Sequence, residues 1–184
     1  SMQIKALVRN ISRGDGKKAQ IILRLYAMER FLERVSFSQY HKNLILKGGT
    51  LVTAIVGLGN RSTMDIDATI KNLPLTISSA QKIVGEIISV KVEDGVKFEI
   101  KKVSTIMEET NYSGIRIMLD CTLEKMRIPF KIDFSTDDVI TPREISYTYK
   151  LLFEDHSISI LAYNLETILA EKIETLLSRG TANT

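Results

Sequence analysis

Two short motifs limit this chain more than anything else in it. Lys47-Gly48-Gly49-Thr50 comes first, and Arg61-Ser62-Thr63-Met64-Asp65-Ile66-Asp67 follows. Residues 64–70 alternate as a strand does, with Ile66, Ala68 and Ile70 on one face and Asp65, Asp67 and Thr69 on the other. The two carboxylates therefore point the same way, roughly 6–7 Å apart. That spacing suits one or two magnesium ions, which bind one or two carboxylates together with substrate phosphates. Two ions about 4 Å apart stabilise both the attacking and the leaving oxygen of an in-line displacement.

The glycine pair supplies the other half of such a site. Glycine tolerates positive φ and lets a phosphate approach the backbone. The run 50–56 reads as a short buried helix whose first amides and dipole favour an anion. Ser62 and Thr63 add hydroxyls just ahead of the carboxylates, within reach of a terminal phosphate. Either motif alone is weak, because Asp-x-Asp arises by chance and Gly-Gly is a turn signal. Their order and spacing together describe a place for a magnesium nucleoside triphosphate.

On these residues the chain resembles the AbiEii/AbiGii toxin family of nucleotidyltransferases, toxin components of bacterial type IV toxin–antitoxin and phage abortive-infection systems. The resemblance continues at Lys131-Ile132-Asp133-Phe134 and at Leu169-Ala170-Glu171-Lys172-Ile173. It implies an α+β fold, a DNA-polymerase-β-like nucleotidyltransferase core with a mixed sheet flanked by helices. It also implies an NTP substrate with two magnesium ions held by Asp65, Asp67 and Asp133. The acceptor it favours is RNA, particularly the 3′ end of tRNA, with growth arrest as the outcome and a cognate antitoxin as a partner. Gly48, Gly49, Ser62, Thr63 and Lys172 are then the nucleotide-binding residues, and Asp65, Asp67, Asp133 and Lys172 the catalytic ones.

Two of these positions can also be weighed on their own. Asp133 lies on the polar face of a strand over 127–134, opposite Ile128, Phe130, Ile132 and Phe134. In the resembled fold that strand runs beside the Asp65–Asp67 strand, making Asp133 a third carboxylate that binds metal or helps deprotonate the acceptor. The other reading is a surface aspartate on an edge strand. Lys172 falls inside an apolar stripe of Leu165, Ile168, Leu169, Ile173 and Leu176 on a helical wheel. A lysine there must snorkel to water or meet a buried anion, and a triphosphate is such an anion. Glu166 sits in the first turn, where a carboxylate suits the helix N-terminus.

Family members continue past the lysine helix into an Arg-Asp-x-Tyr-Asp-like motif on a further helix. That motif is absent from the sequence, which runs to Thr184. The expectation is a fragment of a longer protein that binds nucleotide weakly and turns over poorly.

At 184 residues, with 44% hydrophobic and 26% charged residues, the chain can bury one good core. It has no apolar run near the length of a membrane span and no signal-peptide pattern. Cys121 is the only cysteine, so no internal disulfide forms and a reducing cytoplasm is the expected setting. It falls in line with Ile115, Ile117, Leu119 and Leu123 and reads as a core residue. One cysteine and two histidines argue against zinc. A net charge of +3 neither requires nor excludes nucleic acid. Lys17, Lys18, Arg24, Arg30 and Arg34, and separately Lys97, Lys101 and Lys102, read mainly as solvated faces with RNA contact as the other reading.

Periodicity predicts helices over 3–12, 17–35, 48–56, 78–88 and 165–178, the last capped by Asn164. Strands are expected over 64–70, 96–103, 114–123, 127–134 and 145–153, with a hairpin joining the third and fourth. The organisation is one nucleotidyltransferase domain over 1–184: a helical segment to 40, a catalytic sheet core over 41–155, and from 156 the start of a helical region. His41 and His156 have no evident partners, and Asp137-Asp138 reads as a turn. Tyr147, Tyr149 and Tyr163 could stack on a base but read as core or rim. Two alternatives stay open: a protein NMP-transferase acting on a side-chain hydroxyl, and a catalytically silent nucleotide- or partner-binding module.

Overall fold

A computed structural model describes residues 2–57, 65–107 and 113–179. The elements, in chain order, are α1 (Met2–Ser12), α2 (Gly16–Phe37), β1 (Leu44–Lys47), α3 (Gly48–Val56), β2 (Asp65–Ile70), α4 (Ile77–Ile88), β3 (Val96–Met107), β4 (Ser113–Leu123), β5 (Met126–Ser135), β6 (Ile145–Lys150), β7 (Ser157–Ala162) and α5 (Leu165–Arg179). The strands form one seven-stranded mixed sheet in the order β3-β4-β5-β2-β1-β7-β6. β2 runs parallel to β5, and β1 parallel to β7; the other pairings are antiparallel. The fold is the expected α+β arrangement.

Alternation decides the faces. Ile66, Ala68, Ile117, Leu119, Ile132 and Phe134 are all buried, and α2 and α4 pack on that side. Phe31 of α2 meets Phe98 and Phe130 edge-on, centroids 6.3 Å away in each case. Each such ring contributes about 1.5–3 kcal/mol by leaving water. Cys121 is a buried core residue of this face. The helices begin where their caps predict: Asp15 accepts from the amides of Lys17 and Lys18 (2.9 and 3.2 Å), and Asn164 Oδ1 accepts from Thr167 at 2.7 Å. Each cap stabilises its helix by about 1 kcal/mol.

Four expectations change. The strand expected over 145–153 ends at Lys150, and a further strand, β7, carries the sheet on to Ala162. Arg30 and Arg34 are not a solvated basic face; both are buried. Arg34 forms a two-pronged bridge to Asp94 (2.7 and 2.9 Å), while Arg30 reaches Glu33 at 3.0 Å and Glu154 at 3.4 Å. Glu29 accepts from the Leu152 amide at 2.8 Å, and Glu33 meets His156 at 2.7 Å, which gives that histidine a partner. The apolar stripe of α5 also fails to face the core. Ile168 is buried, whereas Leu165, Leu169, Ile173 and Leu176 are more than half exposed, because Asn164, Thr167 and Ile168 are the residues turned to the sheet.

Candidate active site

The parallel register of β2 and β5 sets Asp65 beside Lys131 and Asp67 beside Asp133. β4 adds Arg116 opposite Asp133, and β1 adds Lys47 opposite Asp67. All six side chains lie on the face away from α2 and α4, since each alternates with a buried apolar neighbour. The strand pairing therefore joins Asp65, Asp67 and Asp133, as the sequence leads one to expect.

The glycine-led turn closes against this row. Gly48 has φ +67°, and a Cβ there would meet the Asp67 carboxylate. The Gly49 amide donates to that carboxylate. Lys47, at the N-cap of α3, makes no side-chain cap, and the Thr50 hydroxyl bonds the Asp65 carbonyl instead. The start of α3 is thus fixed to β2 with its first amides beside the carboxylates, the arrangement that favours an anion. Ser62 and Thr63 lie outside the described residues.

Charge in the site is unevenly balanced. Burial, and then the nearby charges of Asp133 and Asp65, push the Asp67 carboxyl above its usual range. Asp65 is held by Lys131 at 2.9 Å. Asp133 is gripped by Arg116 through two bonds of 2.8 and 2.7 Å, with Lys131 at 3.8 Å. Among the described residues no three acidic, cysteine or histidine side chains form a ready-made metal cluster. Two of the three carboxylates are instead paired with Lys131 and Arg116. The donors still fit magnesium: they are all oxygen, and the excess negative charge around Asp67 is what a cation would relieve.

A second network adjoins the first and was not foreseen. Asp138 accepts from Lys47 Nζ at 2.7 Å, Ser135 at 2.6 Å and the Tyr163 hydroxyl at 2.9 Å, and also bonds Thr69. Burial works against its charge, but the bonds from Lys47, Ser135 and Thr69 outweigh that and hold its carboxyl below the usual range. The expected turn at Asp137-Asp138 is in fact a hub linking β1, β2, β5 and Tyr163, just after β7. Only the spatial convergence reveals it; two adjacent aspartates after a strand carry no such signal.

Lys172 is exposed on α5, so its place in the apolar stripe does not bury it. Its neighbour Glu171 lies 3.7 Å from Lys47. Burial, foremost, raises the Glu171 carboxyl, against the lowering effect of Lys47 and Lys172. Glu171, rather than Lys172, is the residue by which α5 meets Lys47. A cavity of about 340 Å³ opens at the far ends of β2 and β5, beside Thr69, Lys71, Asp138 and Arg143, not over the carboxylates.

The profile of the family described as nucleotidyl transferase AbiEii toxin, type IV toxin–antitoxin system, matches residues 30–184. JHP933 from Helicobacter pylori is similar in structure, with 15% identity, TM-score 0.49, and 84% of this chain and 56% of that one covered. A provisionally assigned nucleotidyltransferase from H. pylori is similar at 16% identity and TM-score 0.50, covering 84% and 58%; at that identity the likeness concerns the fold. The chain spans little more than half the length of either structure. No curated protein matches it significantly.

Proposed function

The chain belongs to the AbiEii nucleotidyl transferase toxin family of type IV toxin–antitoxin systems, and from that premise we propose that the whole protein moves a nucleoside monophosphate from an NTP to an acceptor hydroxyl. The observation that carries this reading is the register that aligns Asp67 with Asp133 while Gly48 packs against Asp67. A row of carboxylate oxygens thereby abuts the N-terminus of α3.

In this reading Asp65 and Asp67, with Asp133 adjoining, hold magnesium, which when bound neutralises phosphate charge and favours in-line displacement. Gly48 and Gly49 present backbone amides to the triphosphate, assisted by the hydroxyls of Ser62 and Thr63. Lys172 supplies positive charge from α5. Asp133 orients the acceptor hydroxyl and accepts its proton as the new oxygen–phosphorus bond forms and pyrophosphate leaves. Such chemistry rests on positioning and electrostatics, with no covalent enzyme intermediate.

The acceptor proposed is RNA, with the tRNA 3′ end first; a protein hydroxyl is the second reading, favoured by nothing specific in the site. The setting proposed is the cytoplasm, with a cognate antitoxin restraining growth arrest. No helix among the described residues is long and apolar enough to cross a membrane.

The test supplies labelled NTPs one at a time, with magnesium, to separate pools of tRNA and total protein, using the full-length protein and its Asp65→Ala variant. Label entering tRNA only with the wild type is the expected result. Label in protein alone would move the acceptor to a side chain. Equal labelling by Asp65→Ala would overturn the site, and no labelling would leave a binding module as the better reading.

A further inference from the structure

Two of the cations beside the carboxylates, Lys131 and Arg116, belong to a longer surface. On the open face, register lines up Lys102 of β3, Met118 of β4, Lys131 of β5 and Asp65 of β2 in one row. The next row reads Ser104, Arg116, Asp133 and Asp67. Neighbouring strands lie about 4.8 Å apart, so each row crosses roughly 14–15 Å of sheet from β3 to the carboxylate on β2. α2 and α4 cover the opposite face. Here Met118 is 45% exposed, Lys102 is exposed, and Arg116 and Lys131 are 37% and 30% exposed.

Lys131 and Arg116 have two possible sets of partners. In the protein alone they pair with Asp65 and Asp133. A divalent cation taking those carboxylates would compete directly with them. Each freed side chain sits at its own strand position, so the positive charge it stops sharing remains on the open face. That face then carries Lys102, Arg116 and Lys131 around the apolar Met118, next to where the acceptor hydroxyl must lie.

We propose that Lys131 and Arg116 are exchangeable counter-ions: they neutralise Asp65 and Asp133 while no metal is bound, and on metal–triphosphate loading turn to the phosphates of an RNA acceptor lying across the open face of β3, β4 and β5. This rests on the nucleotidyltransferase reading. A phosphodiester strand is the acceptor that fits, because it offers successive anions to three cations, Lys102, Arg116 and Lys131, set around an apolar side chain on which a base can lie. The order of events follows from charge. Without metal the cations are occupied and the acceptor site is weak; with metal and nucleotide it is complete. Binding of the two substrates is therefore cooperative in equilibrium.

The experiment measures anisotropy of a short labelled single-stranded RNA on the full-length protein, with and without magnesium and a non-hydrolysable NTP analogue. Magnesium affinity is measured separately by calorimetry. Wild type should bind RNA about tenfold more tightly when loaded. Lys131→Met should abolish most of that gain, bind magnesium at least as tightly as wild type, and lower the slope of log affinity against log salt by about 0.7. Arg116→Lys keeps a charge and should keep part of the gain, guarding against a variant that merely misfolds. RNA affinity that ignores magnesium, or magnesium affinity that falls in Lys131→Met, would overturn the exchange. If wild type binds magnesium and nucleotide but prefers an uncharged peptide acceptor, only this proposal fails. If it binds neither, the nucleotidyltransferase reading fails with it.

Discussion

A Cβ placed on Gly48 would stand 2.1 Å from Oδ2 of Asp67. The glycine is thus fixed by its neighbour's carboxylate as well as by its own backbone, which sits at φ +67°. Gly48→Ala should cost about 1–2 kcal/mol from the left-handed conformation alone, and it must also push Asp67 aside. Nucleotide transfer should drop about a hundredfold, the usual result of a displacement near 1 Å. Thermal melting and a transfer assay on one preparation check both parts; a variant unchanged in each would remove Gly48 from the site.

Asp67 ties stability to pH. Its folded carboxyl is raised, first by burial and then by Asp133 and Asp65. The protonated form therefore stabilises the metal-free fold below the ordinary aspartate range, and that stabilisation is lost as pH rises through the raised value. Asp67→Asn should flatten this slope and melt higher than wild type in chelator near neutral pH, while losing transfer by orders of magnitude. Melting curves across pH, with and without magnesium, would show it. A variant less stable than wild type throughout would contradict the charge argument.

Glu29 gives a second slope away from the site. Burial, opposed by the Leu152 amide and Arg30, lifts its carboxyl from 4.5 to about 7. Its contribution is full below about 4.5 and disappears as pH rises through about 7. Glu29→Gln retains an acceptor for the amide and should melt above wild type at mildly alkaline pH, with the gap closing as pH falls. An identical pH profile in the two proteins would refute it.

Asp138 works in the opposite sense, because its bonds hold the carboxyl low despite burial. Its contribution is present above the ordinary aspartate range and lost as pH falls through the depressed value. Asp138→Asn should destabilise by about 2–4 kcal/mol, since it leaves the Lys47 ammonium short of its main counter-charge. Acid unfolding should start from this lower plateau and lose part of its steepness. Chemical denaturation at neutral and acid pH measures both.

Lys172 should affect binding and leave folding intact. It is exposed, so Lys172→Ala should change stability by less than about 0.5 kcal/mol. The expected effect is a several-fold rise in the NTP concentration needed for half-maximal transfer. Equilibrium nucleotide binding indifferent to the substitution would exclude it from the phosphate site.

The shared face of the candidate site's carboxylates is legible in the sequence, because period-two alternation assigns Asp65, Asp67 and Asp133 to a polar face whatever the sheet order. The Gly48 turn was legible for the same local reason. What could not be read depends on partners distant in sequence. Arg30 and Arg34 recur at helical spacing and resemble a wet face until Asp94 and Glu154 fold onto them. β7 is short and alternating, and only its place between β1 and β6 marks it as interior. Lys131 and Arg116 look like ordinary strand cations until pairing sets each against a carboxylate.

The pairing of β1 with β7 also governs when the site can exist. β1 leads into the glycine turn and is translated before β7, yet its second edge is satisfied only when Ile45 and Leu46 meet Leu161 and Ala162. Tyr163, which completes the Asp138 hub, follows directly. A nascent chain thus carries Asp65 and Asp67 without the support that aligns Lys47 beside them until β7 and Tyr163 have been made. Chain order thus separates the translation of the candidate site's carboxylates from the assembly of the groups that support them.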